Sequence, residues 1–334
     1  MSHLPLYVSL QYADNPLETL ISECKLSDEE ACKARELAEA KLPPLVRRDT
    51  LSYIFGVSHG IIVAMSRFPD TYYRVYTVSK RSGGTRQIEA PRRFLKVIQK
   101  WINSYILLKR ELLPAVTGFV HGKNIFTNAK AHLPSKNLMV VDIEDFFPSI
   151  HRQKIARVFR EFGFPVDVVR LLTGLCTYER RLPQGAPTSP TLSNIVFASV
   201  DEVLQVQARE WGCVYTRYAD DLAFSGDRMF SMQDIQDAAE ILHEAGFSVN
   251  YQKTRIIGSG GRQVLAGLIV NQKGLPLRKK RMQWRSLFHK ASINPNEYVG
   301  QSSILKGIAS FVNQYDKELA QEYLQIANHV AELE

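Results

Sequence analysis

Asp220 and Asp221 are adjacent aspartates that lie between two apolar stretches, VYTRY and LAFS. The flanking residues predict two strands joined by a tight turn, which would place both carboxylates at the end of a buried sheet. Carboxylates held close together repel each other unless a cation neutralises them, and a divalent metal with oxygen ligands suits that position. A pair of aspartates is also common in ordinary turns, so the pair alone leaves a purely structural interpretation open.

Asp142 is a third carboxylate in an unusual place, inside the apolar stretch LMVVDI of residues 138–143. This short stretch predicts a buried strand. A carboxylate without a partner is costly there, so Asp142 either pairs locally or supplies a further ligand to a metal. Asp142, Asp220 and Asp221 are therefore the candidate catalytic and metal-binding residues.

The segment LPQGAPTSP of residues 182–190 is dense in proline, glycine and small polar residues before a predicted helix. Such a composition is typical of an ordinary loop. It also suits a main chain that lies flat against a nucleotide or a template base, because glycine allows close approach.

The elements that position these residues predict an α+β fold, with helices on one face of an antiparallel sheet. The helix at 27–42 begins with the capping box Ser27 and Glu30, and the tail 276–334 is helical. Strand patterns cover residues 72–80, 85–90, 138–143, 214–225 and 264–270.

Length, charge and cysteine usage set broad limits on the protein. The 334 residues carry a formal charge of +8, which favours a polyanionic partner weakly. The four cysteines show no zinc spacing and predict reduced thiols. No signal peptide or membrane-spanning run is evident, so we expect a soluble, cytoplasmic protein without a membrane partner.

The order of the segments resembles the palm motifs of reverse transcriptases: an aspartate followed by an aromatic pair, then LPQG with SP, then the YxDD box. The resemblance extends from about residue 72 to residue 326. It implies a right-hand polymerase fold with fingers, palm and thumb. Its parts are an N-terminal helical extension, the fingers, a palm with a fingers-like helical insertion at 151–181, and a helical RNA-binding thumb, at residues 1–46, 47–137, 138–270 and 271–334.

The same resemblance implies a reaction in which a nucleic-acid hydroxyl attacks the α-phosphorus of a deoxynucleoside triphosphate. Asp142, Asp220 and Asp221 would hold two Mg²⁺ ions for this reaction. Arg86, in the segment TRQI, would bind the triphosphate, with Lys80 as a weaker candidate beside it.

Three further residues are candidate substrate-binding groups by resemblance. Phe147 would stack under the sugar and exclude a 2′-hydroxyl, and Gln184 would contact the incoming nucleotide. Lys253 would lie near the phosphates, although a surface lysine is an equally ordinary interpretation.

A narrower resemblance is carried by NAKAH at residues 128–132, which fits the NAxxH element of bacterial retron reverse transcriptases. It makes Asn128 and His132 candidate RNA-binding residues. Retron enzymes carry Val-Thr-Gly in the strand next to the thumb, where this chain has Leu265-Ala266-Gly267. That departure bears on recognition of the cognate RNA.

Residues 273–290 contain seven lysines and arginines and no acidic residue. The pattern fits a solvated basic helix, and it also fits a thumb surface that grips RNA phosphates. The candidate RNA-binding residues are Arg278, Lys279, Lys280, Arg281 and Arg285.

The leading hypothesis is a bacterial retron reverse transcriptase that copies a partner noncoding RNA into an RNA-linked single-stranded DNA for anti-phage defence. Its partners would be that RNA, the DNA product, deoxynucleoside triphosphates and a separate effector protein. Two alternatives stay open: a group II intron-like or defence-associated reverse transcriptase, and a non-catalytic RNA-binding scaffold.

Overall fold

The computed structural model describes residues 15–79, 83–271 and 273–334. From residue 15 onward, the described part of the chain starts with a group of short helices. The second of them begins with the predicted capping box, in which Ser27 and Glu30 bind each other's backbone N–H groups. Apolar residues of this region, such as Leu20 and Leu37, are buried in the main core. The helices are α1 Pro16–Glu23, α2 Asp28–Glu39, α3 Arg48–Phe55, α4 His59–Arg67 and α5 Pro69–Tyr72.

A β-hairpin follows, as the aromatic and β-branched pattern predicted. Its strands are β1 Tyr73–Ser79 and β2 Thr85–Pro91, paired antiparallel. Helix α6 Arg93–Tyr105 then buries Trp101 completely, and a 3₁₀ turn, Leu107–Lys109, leads on to helix α7 Ile125–Ala131.

The centre of the molecule is a four-stranded antiparallel sheet with the order β4-β5-β3-β6. Its middle strand β3 is almost wholly buried, which explains its continuous run of apolar residues. The strands are β3 Asn137–Asp142, β4 Val214–Tyr218, β5 Asp221–Gly226 and β6 Arg255–Ile257. The intervening helices are α8 Arg152–Glu161, α9 Val166–Leu175, α10 Ser189–Glu210 and α11 Met232–Glu244.

A small three-stranded sheet follows, formed by β7 Val264–Leu265, β8 Leu268–Ile269 and β9 Leu275–Pro276. Ala266 and Gly267 form the tight turn between β7 and β8, both with positive φ, of 48° and 84°. A β-branched residue such as threonine is more strained than alanine in this conformation.

The chain ends in a helical bundle, which we call the C-terminal bundle, made of α12 Arg278–Ile293, a 3₁₀ turn at Pro295–Tyr298, α13 Ser302–Val312 and α14 Lys317–Glu332. The bundle has its own hydrophobic core, in which the rings of Phe288 and Tyr323 stack 3.7 Å apart. Phe126 of α7 packs on Phe311 and Tyr315 of the bundle.

The observed arrangement is the predicted α+β fold. None of the helices in the described ranges is both long enough and apolar enough to cross a membrane.

Candidate active site

The carboxylates of Asp142, Asp220 and Asp221 come from the ends of two adjacent strands. Asp142 is the last residue of β3 and pairs directly with Asp221, the first residue of β5. Tyr218 also pairs with Asp221, so Ala219 and Asp220 form a two-residue turn between β4 and β5. The N–H of Ile143 donates to the carbonyl of Asp220 at 3.0 Å and fixes this turn against β3. The three acidic residues therefore lie at one end of the central sheet.

The environment of Asp142 and Asp221 disfavours their ionised forms. Burial raises the pKa of Asp221 to about 6, with the negative charges of Asp220 and Asp142 adding to the effect. Burial also raises the pKa of Asp142, although its hydrogen bond with Lys253 acts in the opposite direction. Ionised carboxylates in such a place need a positive charge close by.

In this conformation Lys253 supplies positive charge to Asp142. Its Nζ lies 2.9 and 3.2 Å from the two carboxylate oxygens, and this hydrogen bond raises the pKa of the lysine. Across the described ranges, no three His, Cys, Asp or Glu side chains already surround a common point that could hold a metal. The three carboxylates at this end of the sheet nevertheless supply the hard oxygen donors that divalent cations prefer, so the chemistry of the donor set fits such an ion.

Backbone contacts hold Asp142 in place. Its N–H donates to the Thr254 hydroxyl at 3.2 Å, and its carbonyl accepts from the N–H of Asn250 at 2.8 Å. Because Lys253 follows Asn250 in the same turn, the segment that brings its ammonium to the carboxylate also anchors the end of β3.

The strand that carries Arg86 is joined to the loop that carries Gln184. Arg86 lies on the exposed part of β2, and three residues further Glu89 exchanges two backbone-centred hydrogen bonds with Gln184. The Glu89 N–H donates to the Gln184 carbonyl at 2.8 Å, and the Gln184 N–H donates to the Glu89 carboxylate at 3.3 Å. Arg181 donates to both carboxylate oxygens of Glu89, at 2.9 and 2.6 Å, and Glu89 is only 2% exposed. The Glu89–Arg181 pair was not predicted from the sequence, where its one signal was an acidic residue, Glu89, inside a predicted strand.

Phe147 lies in the loop after β3 and is half-buried, with its ring 5.7 Å from Phe146 and 6.0 Å from Phe119. The ring is thus held by two other aromatic rings while part of it stays open to solvent. Lys80 lies outside the described residues.

Asn128 and His132 are buried, with 1% and 2% exposure. The His132 ring nitrogens lie 2.7 Å from the hydroxyls of Ser225 and Thr216, and the Asn128 side chain accepts from Thr216 and Thr117. Burial lowers the pKa of His132 to about 4. These side chains hold α7 against β4 and β5 and are buried in this conformation, so their contact with RNA stays a prediction.

The basic residues predicted on the C-terminal bundle lie on α12. The Nζ of Lys280 lies 5.0 Å from the ring centroid of Trp284 and 5.4 Å from that of Phe311, which are cation–π distances. Arg281 is half-buried and donates to the carbonyl of Pro276. The side chains that are exposed to solvent belong to Arg278, Lys279, Lys280 and Arg285.

The antiparallel sheet with acidic residues at one end, flanked by a hairpin and a helical bundle, defines a nucleic-acid polymerase of the right-hand type. The family model described as reverse transcriptase (RNA-dependent DNA polymerase) matches residues 78–284. Two relatives are 32% identical: the retron Mx65 reverse transcriptase of Myxococcus xanthus, over 86% of this chain and 72% of the relative, and the retron Ec86 reverse transcriptase of Escherichia coli, over 79% and 82%. The chain therefore belongs to the reverse transcriptase family, within its retron branch, and is an RNA-directed DNA polymerase.

A solved telomerase from Candida albicans, in complex with a fragment of telomeric RNA, aligns with 77% of this chain and 56% of its own, at a TM-score of 0.43 and 10% identity. The assignment rests instead on the family match and the retron relatives. The family uses divalent metal ions, an RNA template and nucleotide substrates.

Proposed function

We propose that this enzyme copies part of a partner noncoding RNA into single-stranded DNA that stays linked to the RNA, and that it does so in the bacterial cytoplasm for anti-phage defence with a separate effector protein. Two observations support the proposal. Asp142 and Asp221 are paired at the end of the central sheet, beside Asp220, and the relatives are retron reverse transcriptases. The carboxylate arrangement is the observation that carries the catalytic part.

Two Mg²⁺ ions are the proposed cofactor, held by Asp142, Asp220 and Asp221. When bound, they would activate the attacking hydroxyl and stabilise charge on the triphosphate. The protein's own contribution is to fix the positions of three carboxylates at the end of the central sheet, where their negative charge would attract the ions. Lys253 has to leave Asp142 when the ions enter, which frees its ammonium for the triphosphate.

The remaining substrate contacts are assigned by position. Arg86, on the exposed part of β2, would bind the triphosphate by its planar guanidinium. Gln184 would contact the nucleotide, because its loop is fixed to the same strand through Glu89. Phe147 would stack under the sugar and reject a 2′-hydroxyl, supported by its neighbouring rings.

The proposed subdomains are those expected from the sequence. They are an N-terminal extension at 1–46, fingers at 47–137, a palm at 138–270 with a fingers-like insertion at 151–181, and a thumb at 271–334. The exposed basic face of α12 supports an RNA-binding role for the thumb. Asn128 and His132 would serve this role indirectly, by fixing α7, on which the bundle packs.

The decisive experiment isolates the protein with its nucleic acids from cells that carry the native locus. We expect an RNA-linked DNA from which ribonuclease removes most of the RNA and leaves a small RNA remnant attached to intact DNA. This species should be absent from the double variant Asp220→Asn, Asp221→Asn. DNA synthesis on any primed RNA without such a linked species would favour a non-retron reverse transcriptase. Function that survives the double variant would favour a non-catalytic scaffold.

A further inference from the structure

The turn that carries Asp220 rests on a fully buried polar network behind the sheet. Arg217, two residues before Ala219, is 0% exposed, and its guanidinium donates to both oxygens of the equally buried Asp201 at 2.8 and 2.7 Å. The same guanidinium donates to the side-chain oxygen of Asn194 at 2.9 Å and to the carbonyl of Ala219 at 3.3 Å. One side chain therefore connects helix α10 with the backbone of the catalytic turn.

Gly118 approaches the turn from the other side. Its carbonyl accepts from the Asn194 side-chain amide at 2.9 Å, and its N–H and that of Thr117 donate to the Arg217 carbonyl. A Cβ added at Gly118 would overlap the backbone nitrogen of Ala219 and would lie 3.0 Å from the carbonyl carbon of Tyr218. Neither neighbour is a flexible side chain that can move away, so any residue larger than glycine displaces the turn.

Burial of the Arg217–Asp201 ion pair does not by itself explain why these charged residues stand in the core. A fully buried ion pair loses much hydration energy, and a well-packed apolar core is often as stable or more so. Asn194 and Asp201 lie two turns apart on one face of α10, so the helix holds two acceptor groups at a fixed spacing for the single guanidinium. This arrangement fixes the position and the orientation of the Ala219 carbonyl, which immediately precedes Asp220.

We propose that Asp201, Arg217, Asn194 and Gly118 form a strut that positions the Tyr218–Asp221 turn for metal binding and catalysis. The proposal rests on the proposed function of that turn. These are positioning residues, because none of them touches the candidate metal ligands by its own side chain in this structure.

The test compares Gly118→Ala with Gly60→Ala, since an added Cβ at Gly60 meets nothing within 4 Å and neither glycine has a positive φ. We expect Gly118→Ala to melt at a lower temperature than Gly60→Ala, because the added Cβ displaces a buried turn, but to remain folded at the assay temperature. On oligo(dT)-primed poly(rA), Gly118→Ala should keep the KM for primer–template while its kcat falls about 100-fold, as for a misplacement of about 1 Å. Binding of Mn²⁺ to the protein without nucleic acid, followed by electron paramagnetic resonance, should weaken in parallel.

The proposal would be overturned if folded Gly118→Ala kept the kcat and the Mn²⁺ affinity of the wild type. It would also be overturned if kcat and template binding fell by the same factor. If Gly118→Ala does not fold, Asn194→Asp takes its place, because it keeps the shape but removes the donor to Gly118. Failure of both variants to fold would make the network a folding element and would also overturn the positioning role. A wild-type protein that makes no DNA on RNA would refute the proposed function, while the Mn²⁺ titration would still report on the strut.

Discussion

Asp142 and Asp221 face each other across the β3–β5 ladder, although three helices, α8 to α10, and strand β4 lie between them in the sequence. Opposed side chains in an antiparallel pair are close neighbours, and like charges there are destabilising. Burial adds to the repulsion and raises the pKa of Asp221 to about 6. The end of the sheet therefore carries an electrostatic cost that a bound cation would relieve.

Asp221→Asn should stabilise the metal-free protein at neutral pH while abolishing DNA synthesis. The pKa of Asp221 is about 6 in the folded protein and near an ordinary 3.8 in the unfolded chain. Between these values the folded state binds more protons, so the free energy of unfolding falls as pH rises through this window. In chelator at pH 7.5, the variant should melt at a higher temperature than the wild type, and the difference should vanish below pH 4.

The matched control is Asp227→Asn, an exposed aspartate whose ion pair with Lys136 is mostly in solvent. It should change the melting temperature little at any pH. Added Mg²⁺ should raise the melting temperature of the wild type above pH 6 and have a smaller effect on Asp221→Asn. An Asp221→Asn protein that melts below the wild type in chelator at pH 7.5 would refute the electrostatic account.

Lys253→Met should separate metal binding from nucleotide use. The ammonium of Lys253 is hydrogen-bonded to both oxygens of the Asp142 carboxylate. Removal of this ammonium takes away a cation that competes with the metal, and Mn²⁺ binding measured by titration should become stronger. Nucleotide incorporation should nevertheless fall, because the proposed contact with the triphosphate is lost. Lys136→Met, at an exposed lysine, should change neither quantity. Weaker Mn²⁺ binding in Lys253→Met would show that the lysine supports the carboxylates and does not compete with the ion.

Glu89→Gln should raise the KM for deoxynucleoside triphosphate and leave the KM for primer–template unchanged. The substitution weakens the bonds from Arg181 that tie the Arg86 strand to the Gln184 loop. Loss of one charge-assisted hydrogen bond corresponds to about 1.5–3 kcal/mol, so we expect the ratio kcat/KM for the nucleotide to fall by about tenfold or more. Steady-state kinetics with each substrate varied in turn would measure this.

Glu179→Gln is the control, because Glu179 binds the same Arg181 at 2.8 Å but is 54% exposed. It should behave as the wild type. If Glu89→Gln changes primer–template binding as much as nucleotide binding, the pair has a general structural role.

His132→Leu should lower the stability of the protein, whereas Arg285→Ala should lower its affinity for RNA. His132→Leu removes the partner of the buried Ser225 hydroxyl and one of the two partners of the Thr216 hydroxyl, which keeps Asn128. This loss should cost about 2–4 kcal/mol in the free energy of unfolding. The RNA affinity of its folded fraction should be unchanged. Exposed Arg285 should contribute to RNA affinity and to about one unit of its salt dependence, with little effect on stability.

The two variants also differ in their response to pH. The pKa of His132 is about 4 in the folded protein, against about 6.5 when unfolded. The unfolded state therefore binds the proton first, and the free energy of unfolding decreases as pH falls from 6.5 to 4. His132→Leu should lose this decrease, whereas Arg285→Ala should retain it. Reduced RNA binding by well-folded His132→Leu would support a direct role for the histidine.

The sequence was informative where local patterns decide the structure. The apolar stretches on both sides of the turn predicted β4 and β5, and the apolar run predicted the buried strand β3. That β3 lies beside β5, with Asp142 opposite Asp221, was one of two interpretations and is what the structure shows. The partner of a buried charge is a different matter. Arg217 stands out in an apolar strand, but its pairing with Asp201 depends on how α10 packs on the sheet, which no local pattern records. Asn128 lies on a short helix and His132 directly follows it, and the helix has too few turns to reveal which face is buried.

The C-terminal bundle has a hydrophobic core distinct from the one beneath the central sheet. Regions with separate cores can open and reclose independently of each other. We therefore expect that replacing this bundle with that of a relative would leave the packing of the carboxylate turn unchanged, provided that Phe311 and Tyr315 still contact Phe126. If the bundle binds the template as proposed, such an exchange would alter template binding and leave the carboxylate turn as it is.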